Sequence, residues 1–303
     1  MLYSVRRSLS RQWFRVNARG ILDTPVVVRD PASPVTILSQ VCHHDVYMYL
    51  LAIKSMCRFV RPRQVVVLDD TSLTADDKAL LARHIEGLRV HRTVDVTNEK
   101  CPRGFCWERL LFMADAVTDG YVIQLDSDTV ALRRPQEAID CVSSDRSFTL
   151  GTTFGQEVVS MEAACAAARA RPGAANGHVQ AVAEAAFDRL SAFRNLTYVR
   201  GCAAFVGYAR GSLSRATVEE FSVEMSAIVG GRKWSAWGSE QVASNYIIAN
   251  TPAARVLPLA RYSCYSPALD VSACAFLHFI GTYRFKRNAY VRTARRVIKA
   301  LSQ

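Results

Sequence analysis

The sequence has 303 residues, of which half are hydrophobic and 21% are charged. This is enough apolar material for a sizeable buried core, so a minimal domain is excluded, and the length allows one large α/β domain or two smaller ones. There is no run of about eighteen uncharged apolar residues, so we expect no transmembrane helix. Because no continuous apolar stretch follows the first arginines, as it would in a secretory signal, we expect a cytoplasmic protein.

The formal net charge is +11, and basic residues cluster at both ends of the chain. Such a charge favours anionic partners, which are nucleic acid, phosphorylated substrates or acidic membrane surfaces. The nine cysteines are scattered and odd in number. This differs from a secreted disulfide framework and predicts buried free thiols.

Short apolar runs alternate with helical patterns after a basic lead-in over 1–33. The predicted strands cover 35–39, 64–70, 89–96 and 121–126, and the predicted helices cover 45–60, 74–86 and 105–116. Thr74 is a good N-cap for the second helix, because acids follow it in the first turn. Four strands that alternate with helices predict an α/β fold with a mainly parallel sheet.

The second half of the chain has a less regular pattern. An alanine- and arginine-rich segment over 155–195 predicts a helical insert of two helices joined by a turn at 171–177. The remaining predicted strands and helices cover 198–208, 218–229, 240–249 and 274–280. We therefore expect a single domain over 34–290, followed by a basic amphipathic C-terminal helix over 291–303.

Acidic residues follow three of the predicted strands, at Asp45, at Asp69 and Asp70, and at Asp126 and Asp128. In an open parallel sheet, ligands collect at the carboxyl ends of the strands. These acids therefore indicate a site at one edge of the sheet, although Asp69 and Asp70 could simply end their strand.

The clearest local motif is Asp126-Ser127-Asp128, directly after a buried apolar run. Two carboxylates one residue apart can hold Mg²⁺ or Mn²⁺ and leave open positions for water and phosphate. Such a metal neutralises a leaving diphosphate, as sugar transfer from a nucleotide-sugar requires. One alternative is a surface turn with two solvated acids. Another is a haloacid-dehalogenase-type phosphatase, but its motif normally lies on the first strand and is followed by a second acidic pair, which this chain lacks.

Several separated segments resemble glycosyltransferase family 8, a group with the GT-A fold that includes glycogenin and bacterial lipopolysaccharide galactosyltransferases. The segments are Asp45-Val-Tyr47, Val67-Leu-Asp-Asp, Trp107-Glu-Arg109-Leu-Leu, Asp126-Ser-Asp128, Glu240-Gln241-Val-Ala-Ser-Asn245 and His278-Phe-Ile-Gly281-Thr-Tyr-Arg284. The chain departs from the family pattern at Glu240 and Arg284, where the family has Asp and Lys. The chain thus resembles a divergent member, and the resemblance implies a GT-A-like, Rossmann-like mixed sheet flanked by helices.

The resemblance also implies roles for the matching residues. Asp126, Asp128 and His278 would bind Mn²⁺ or Mg²⁺ on the donor diphosphate, and Glu240 and Gln241 would lie near the anomeric carbon. The residues expected to contact the donor are Asp45, Tyr47, Arg109, Asp126, Gly281 and Arg284. The expected donor is a nucleotide-sugar with UDP as the nucleotide, the acceptor is a glycan or a lipid-linked molecule, and transfer proceeds with retention at the anomeric carbon.

Several of these residues also have a purely structural interpretation. His278 could be a satisfied core histidine of an apolar strand, and Tyr47 could belong to the core. Arg109 could pair with Glu108 or Asp115 on the helix surface. The helix that carries Glu240 and Gln241 could simply be capped by Ser239.

The C-terminal helix has apolar residues on one side and four basic residues, Arg292, Arg295, Arg296 and Lys299, on the other. This pattern is typical of an interfacial helix, which would place the protein on an anionic membrane surface at the inner face of the membrane. It fits equally a terminal helix packed on the domain. A non-catalytic basic protein that binds membrane or nucleic acid is the alternative function, and nucleic acid is the less favoured partner because no aromatic-basic RNA-binding module occurs.

Overall fold

The computed structural model describes residues 2–96, 98–172 and 177–303, with side chains from Ser8 onward. Residues 173–176, within the turn predicted for the insert, lie outside the described residues. The helices are α1 (Leu2–Asn17), α2 (Val46–Cys57), α3 (Ala75–His84), α4 (Trp107–Ala116), α5 (Gln136–Ser143), α6 (Met161–Arg169), α7 (Val179–Ala185), α8 (Arg215–Val229), α9 (Gly231–Trp234), α10 (Ser239–Ala249) and α11 (Ala289–Leu301). The strands are β1 (Val35–Val41), β2 (Gln64–Asp69), β3 (Arg89–Arg92), β4 (Tyr121–Leu125), β5 (Thr129–Ala131), β6 (Phe148–Leu150), β7 (Val159–Ser160), β8 (Thr197–Tyr198), β9 (Cys202–Tyr208), β10 (Arg255–Leu257), β11 (Tyr262–Cys264) and β12 (Phe276–His278).

The central sheet has seven strands in the order β10-β6-β9-β4-β1-β2-β3. Strand β1 pairs in parallel with β2, and β2 pairs in parallel with β3. Strand β9 runs antiparallel to β6, so the sheet is mixed. A smaller sheet has the order β11-β12-β5, and β7 pairs with β8. The predicted fold class, a mixed and mainly parallel α/β sheet flanked by helices, is confirmed.

Contacts between Cα atoms divide the chain into two compact units. The first comprises Met1–Arg92, Gln124–Ile139 and Ala260–Gln303, and the second comprises Thr93–Ile123 and Asp140–Leu259. None of the described helices is both long enough and apolar enough to cross a lipid bilayer.

The core of the first unit lies around β1, β2 and α2. All six residues of β2 are buried, as are most of those in β1 and α2, because parallel strands are covered on both faces. Helix α3 begins with the predicted Thr74 cap, which forms a capping box with Asp77. The helix ends at His84, so its predicted extension to residue 86 is wrong. The backbone pairs with Val27 there instead: the Val27 amide donates to the carbonyl of His84 at 3.0 Å, and the Val27 carbonyl accepts from the amide of Glu86 at 3.0 Å.

Helix α11 packs against α1 and α2 of the first unit. It buries Val291, Ala294 and Val297, and Tyr290 packs on Phe14 of α1 with ring centroids 4.3 Å apart. The four basic residues named above stay exposed. Of the two interpretations of the C-terminal helix, the structure has the one in which the helix packs on the domain. The apolar face of α11 is therefore buried and not available to a membrane. The lead-in, which was not predicted to be helical, supplies part of the packing surface as α1.

The second unit is built on β9, whose seven residues are all buried. Helix α10 packs on β9 and also contacts α4, α7 and α8. Within the segment 155–195, α6 packs against α7. Helix α10 is the element that carries Glu240, Gln241 and Asn245.

Candidate functional site

The turn between β4 and β5 carries the acidic motif of the first unit. Thr129 fixes this turn, because its amide and its hydroxyl both donate to the carbonyl of Asp126, at 3.3 and 2.7 Å. Asp126 is half-buried, whereas Asp128 is only 5% exposed. The motif is therefore not a solvated surface turn, because one of its carboxylates lies almost completely inside the protein.

His278 is the last residue of β12 and lies beside this turn. In the antiparallel pairing of β12 with β5, His278 faces Thr129, and the amide of Phe279 donates to the carbonyl of Asp128 at 2.8 Å. The imidazole Nε2 is 3.4 Å from Asp128 Oδ1. One donor atom from each of Asp126, Asp128 and His278 lies within 4.8 Å of the other two. The structure thus brings together the three residues predicted as metal ligands.

The second imidazole nitrogen of His278 also has a partner. Its Nδ1 lies 3.4 Å from the sulfur of Cys264, which pairs with His278 across β11 and β12. A proton on Nδ1, directed at that sulfur, leaves Nε2 with the lone pair that a cation requires. Sequence reasoning missed Cys264, because nothing in the local pattern shows which residue lies beside His278.

Arg284 forms an ion pair with Asp128. Its terminal nitrogen contacts Asp128 Oδ2, and its Nε donates to the carbonyl of Phe279 at 3.1 Å. Burial favours the protonated form of Asp128, but His278, when its imidazole is protonated, and the Arg284 guanidinium outweigh burial and hold the pKa of this carboxyl well below its usual range. Asp128 is therefore an anion at neutral pH, as a metal ligand must be.

These donors fit a hard divalent cation. Carboxylate oxygens are the preferred ligands of Mg²⁺ and Mn²⁺, and a neutral imidazole nitrogen is the commonest side-chain metal ligand in proteins. Asp126, Asp128 and His278 would hold the ion. Gly281 follows on the exposed turn after β12, where a Cβ atom would meet nothing within 4 Å. No protein atom therefore requires glycine at this position.

Asp45 and Tyr47 lie at the start of α2, close to the acidic turn. The carboxylate of Asp45 accepts a hydrogen bond from Ser127 Oγ at 3.3 Å and pairs with Arg11 at 3.4 Å. Tyr47 is half-buried, with the guanidinium of Arg15 5.0 Å from its ring centroid, so Tyr47 is not a core residue. It lines a cavity of about 530 Å³ together with Arg11 and Arg15. Sequence reasoning missed both arginines, because it assigned no structure to the lead-in.

Asp69 and Asp70 have structural partners. Asp69 is buried, accepts from the amides of Thr71 and Leu73 at 2.8 and 3.1 Å, and pairs with Lys78 at 2.7 Å. Asp70 accepts from Ser72. Both carboxylates shape the turn after β2, which is the simpler of the two interpretations that the sequence allowed.

Arg109 is buried in the second unit, at 6% exposure. It is therefore not a helix-surface residue, and the two acids considered as its partners have other contacts: Asp115 pairs with Arg215 at 2.6 Å, and Glu108 accepts from the amide of Gly104 at 2.8 Å. Burial raises the pKa of Tyr208 to about 12, and the charge of Arg109 acts in the opposite direction. Arg109 is therefore an interior cation of this unit.

Glu240 and Gln241 lie in the first turn of α10. The carboxylate of Glu240 accepts from the amide of Gly238 at 3.1 Å. The side-chain oxygen of Gln241 accepts from the amide of Ala203 at 3.2 Å, and its nitrogen donates to Gln180 at 3.2 Å. These contacts tie the start of α10 to β9 and α7.

Ser239 does not cap α10, so that interpretation is wrong. The N-cap is Gly238, and the hydroxyl of Ser239 instead accepts from the indole of Trp107 at 2.9 Å. Gly238 has a φ of +99°, and a Cβ atom there would lie 2.4 Å from the ring of His178, so only glycine fits.

No protein-family model matches the sequence, and no curated protein matches it. Solved structures do match the fold. A crystal structure of an active-site glutamine-to-glutamate mutant of LgtC overlaps with a TM-score of 0.54 at 11% identity, over 88% of this chain and 96% of that one. The chain has a GT-A-like fold.

The GT-A-like fold is the one that the resemblance to family 8 implied, and that expectation is confirmed. LgtC is a galactosyltransferase that has been crystallised with donor and acceptor sugar analogs. The bifunctional glycosyltransferase WbbM overlaps with a TM-score of 0.49 at 14% identity, over 82% of this chain and 46% of WbbM, so this chain spans just under half of that protein. Mouse xyloside xylosyltransferase 1 overlaps with a TM-score of 0.46 at 10% identity, over 82% of this chain and 98% of that one.

Proposed function

We propose that this protein is a metal-dependent glycosyltransferase that moves a sugar from a nucleotide-sugar, with UDP as the nucleotide, to a glycan or lipid-linked acceptor. The observation that carries the proposal is the convergence of Asp126, Asp128 and His278 on one point within a GT-A-like fold. The likeness to LgtC, a galactosyltransferase, supports the reaction class.

When bound, Mn²⁺ or Mg²⁺ would offset the negative charge of the leaving diphosphate. Arg284 would supply further positive charge, since a guanidinium stays protonated and matches phosphate oxygens in pairs. We assign the same role to Arg109. The exposed turn at Gly281 would allow the backbone to approach a phosphate closely.

Asp45 and Tyr47 are the candidates for binding the nucleoside, by hydrogen bonding and by ring packing. Arg11 and Arg15 line the same cavity as Tyr47, so they belong to this candidate pocket. Their positive charge would favour a phosphorylated ligand.

Glu240 and Gln241 are the candidates for action at the anomeric carbon. The proposed stereochemistry is retention, which requires either a nucleophile opposite the leaving group or a front-side route in which the diphosphate accepts the incoming proton. LgtC has an active-site glutamine, and Gln241 is our candidate for such a residue in this chain.

We also propose that the protein works on an anionic membrane surface. On α1, Leu9, Trp13 and Val16 share one helix face and are 59%, 53% and 70% exposed. Arg15 is exposed on the same helix, and the basic face of α11 is exposed on the same unit. An apolar stripe beside basic residues suits the headgroup region of anionic lipids.

The catalytic proposal is tested by thermal stabilisation of the full chain. We expect UDP with Mn²⁺ to raise the Tm more than either alone, and we expect the Asp128→Asn variant to lose this joint effect. Asp76→Asn, at an exposed position on α3, is the matched control and should behave as wild type. Stabilisation by RNA in place of UDP and Mn²⁺ would support the non-catalytic alternative.

A further inference from the structure

The second unit contains a cavity of about 400 Å³ in the helical insert. The loop at 153–157, helices α6 and α7, and the segment around β8 line it. Its volume lies in the range of small-molecule sites, and charged and aromatic side chains meet in its wall. The insert thus borders a space large enough for one sugar ring.

A buried carboxylate between two arginines forms the floor of this cavity. The side chain of Glu184 is 1% exposed, pairs with Arg171 at 3.2 Å and with Arg200, and accepts from the hydroxyl of Tyr198 at 3.0 Å. Burial and the charge of Arg171 lower the pKa of Arg200 to about 10, so this guanidinium stays protonated at neutral pH. Two cations and one buried anion leave an excess of one positive charge. Glu157 also lines the cavity, but it is exposed, so water screens its charge.

An exposed aromatic ring stands beside this charged group. Phe154 is 69% exposed, and the guanidinium carbons of Arg171 and Arg200 lie 5.7 and 5.8 Å from its ring centroid. Gly155 allows the loop to lie against β8 and β9, since a Cβ atom there would be 2.5 Å from the carbonyl of Arg200. A large apolar ring held at a cavity wall offers a packing surface for the C–H face of a sugar.

Hydrogen bonds connect the cavity with α10. The side chain of Gln241 donates to Gln180, which lies one turn before Glu184 on α7. Asn245, one turn after Gln241, donates to the hydroxyl of Tyr198, which in turn donates to Glu184. The cavity therefore shares a polar network with the helix that carries the candidate catalytic residues.

We propose that this cavity binds an acidic sugar unit, with its carboxylate at the Arg171 and Arg200 guanidinium groups and its ring against Phe154. That this sugar belongs to the acceptor rests on the proposed function, whereas its binding does not. A carboxylate supplies the one negative charge that the floor lacks, and it can accept paired hydrogen bonds from a guanidinium.

The experiment measures binding of glucuronate, glucose and inorganic phosphate to the full chain by isothermal titration, without metal or nucleotide. We expect glucuronate to bind, and both other ligands to bind at least about tenfold more weakly, as the loss of a charge-assisted hydrogen bond or of ring packing predicts. Phe154→Ala and Arg171→Gln should each weaken glucuronate binding by about tenfold. The matched control is Arg169→Gln, because Arg169 pairs with Asp188 on the surface and does not line the cavity.

Equal affinity for glucose and glucuronate would overturn the assignment of an acidic sugar, and equal affinity for phosphate would overturn that of a sugar. If both Phe154→Ala and Arg171→Gln bind glucuronate with wild-type affinity, the ligand binds elsewhere and the proposed site is overturned. The two proposals fail separately. If UDP and Mn²⁺ stabilise the protein but glucuronate does not bind, the proposed function stands and the acidic-sugar site is overturned.

Discussion

His278 Nε2 lies 3.4 Å from Asp128 Oδ1, although the two residues are far apart in the sequence. The cause is the register of the small sheet, in which His278 faces Thr129, the neighbour of Asp128. The imidazole is therefore directed at the acidic turn rather than into the core. The proposed metal site depends on this relationship more than on any other.

Replacing His278 by Ala should weaken Mn²⁺ binding by at least about tenfold. Loss of a residue that only hydrogen-bonds to a metal ligand already lowers metal affinity by about that factor. The measurement is Mn²⁺ titration followed by electron paramagnetic resonance of the free ion. The matched control is His91→Ala, because His91 is exposed on β3, and this variant should bind Mn²⁺ as wild type does. Unchanged Mn²⁺ affinity in the His278 variant would remove the imidazole from the site.

Cys264 should affect the metal through His278. Cys264→Val removes the partner of Nδ1, so the imidazole can turn or adopt its other tautomer, and we expect Mn²⁺ affinity to fall by roughly tenfold. Cys264→Ser keeps a polar partner for Nδ1 of His278 and should therefore retain most of the Mn²⁺ affinity of wild type. If Cys264→Val and Cys264→Ser bind Mn²⁺ equally, the contact with Nδ1 has no influence on the site.

Gln241 should matter more for turnover than for donor binding. We expect Gln241→Ala to lower kcat for release of UDP from a UDP-sugar by roughly a hundredfold, the scale for loss of one group that stabilises a transition state, and to leave KM nearly unchanged. Gln241→Glu keeps an acceptor for the amide of Ala203, so it separates the structural bond from the reaction. A wild-type rate in Gln241→Ala with a raised KM would assign this residue to binding alone.

Much of the sheet could be predicted from the sequence, because β1, β2 and β4 are short, mainly apolar runs that are almost fully buried. The three-residue strands β5 and β11 could not, since they form only by pairing with β12. Helix α1 was missed because its stability depends on packing, as Phe14 against Tyr290 illustrates.

The candidate site was predictable as a set of residues, but its contacts were not. Spacing and chemistry single out Asp126 and Asp128, and the resemblance to family 8 adds His278, whereas the distances among them follow from the register of β5 and β12. The ion pair of Arg284 with Asp128 and that of Arg11 with Asp45 also join distant segments. No local pattern encodes such pairs, because they depend on how the whole chain folds.

Membrane binding should depend on α1 rather than on the apolar face of α11. We expect the double variant Leu9→Ser, Trp13→Ser to float less with phosphatidylserine-containing vesicles, because two apolar side chains no longer enter the headgroup region. Val223→Ser is the matched control, since Val223 is an exposed apolar residue of α8. High salt should reduce the binding of all variants if anionic lipids attract the basic residues. Equal flotation of wild type and the double variant would exclude this helix face as the contact.

Lys54 should make stability depend on pH. Its buried ammonium donates to the carbonyls of Ile21 and Thr24 and to the hydroxyl of Thr24, and it lies 3.1 Å from the imidazole of His84. Burial lowers its pKa from the ordinary 10.5 to about 8. Between these two values the unfolded chain holds a proton that the folded chain has lost, so this residue's contribution to the free energy of unfolding rises with pH across that window. Below it, both states are protonated and the contribution is constant.

The measurement is urea unfolding of wild type and of Lys54→Met at several pH values. Other groups, such as the buried Tyr49 hydroxyl, whose pKa burial raises, act in both proteins and cancel in the difference. At neutral pH, Lys54→Met should be less stable than wild type, because the carbonyls of Ile21 and Thr24 lose their donor. Each buried carbonyl left without a donor should lower the free energy of unfolding by about 1–3 kcal/mol. The advantage of wild type should then grow from about pH 8 to about pH 10. A difference that stays constant over this range would show that Lys54 titrates as it does in the unfolded chain, and that burial does not shift its protonation.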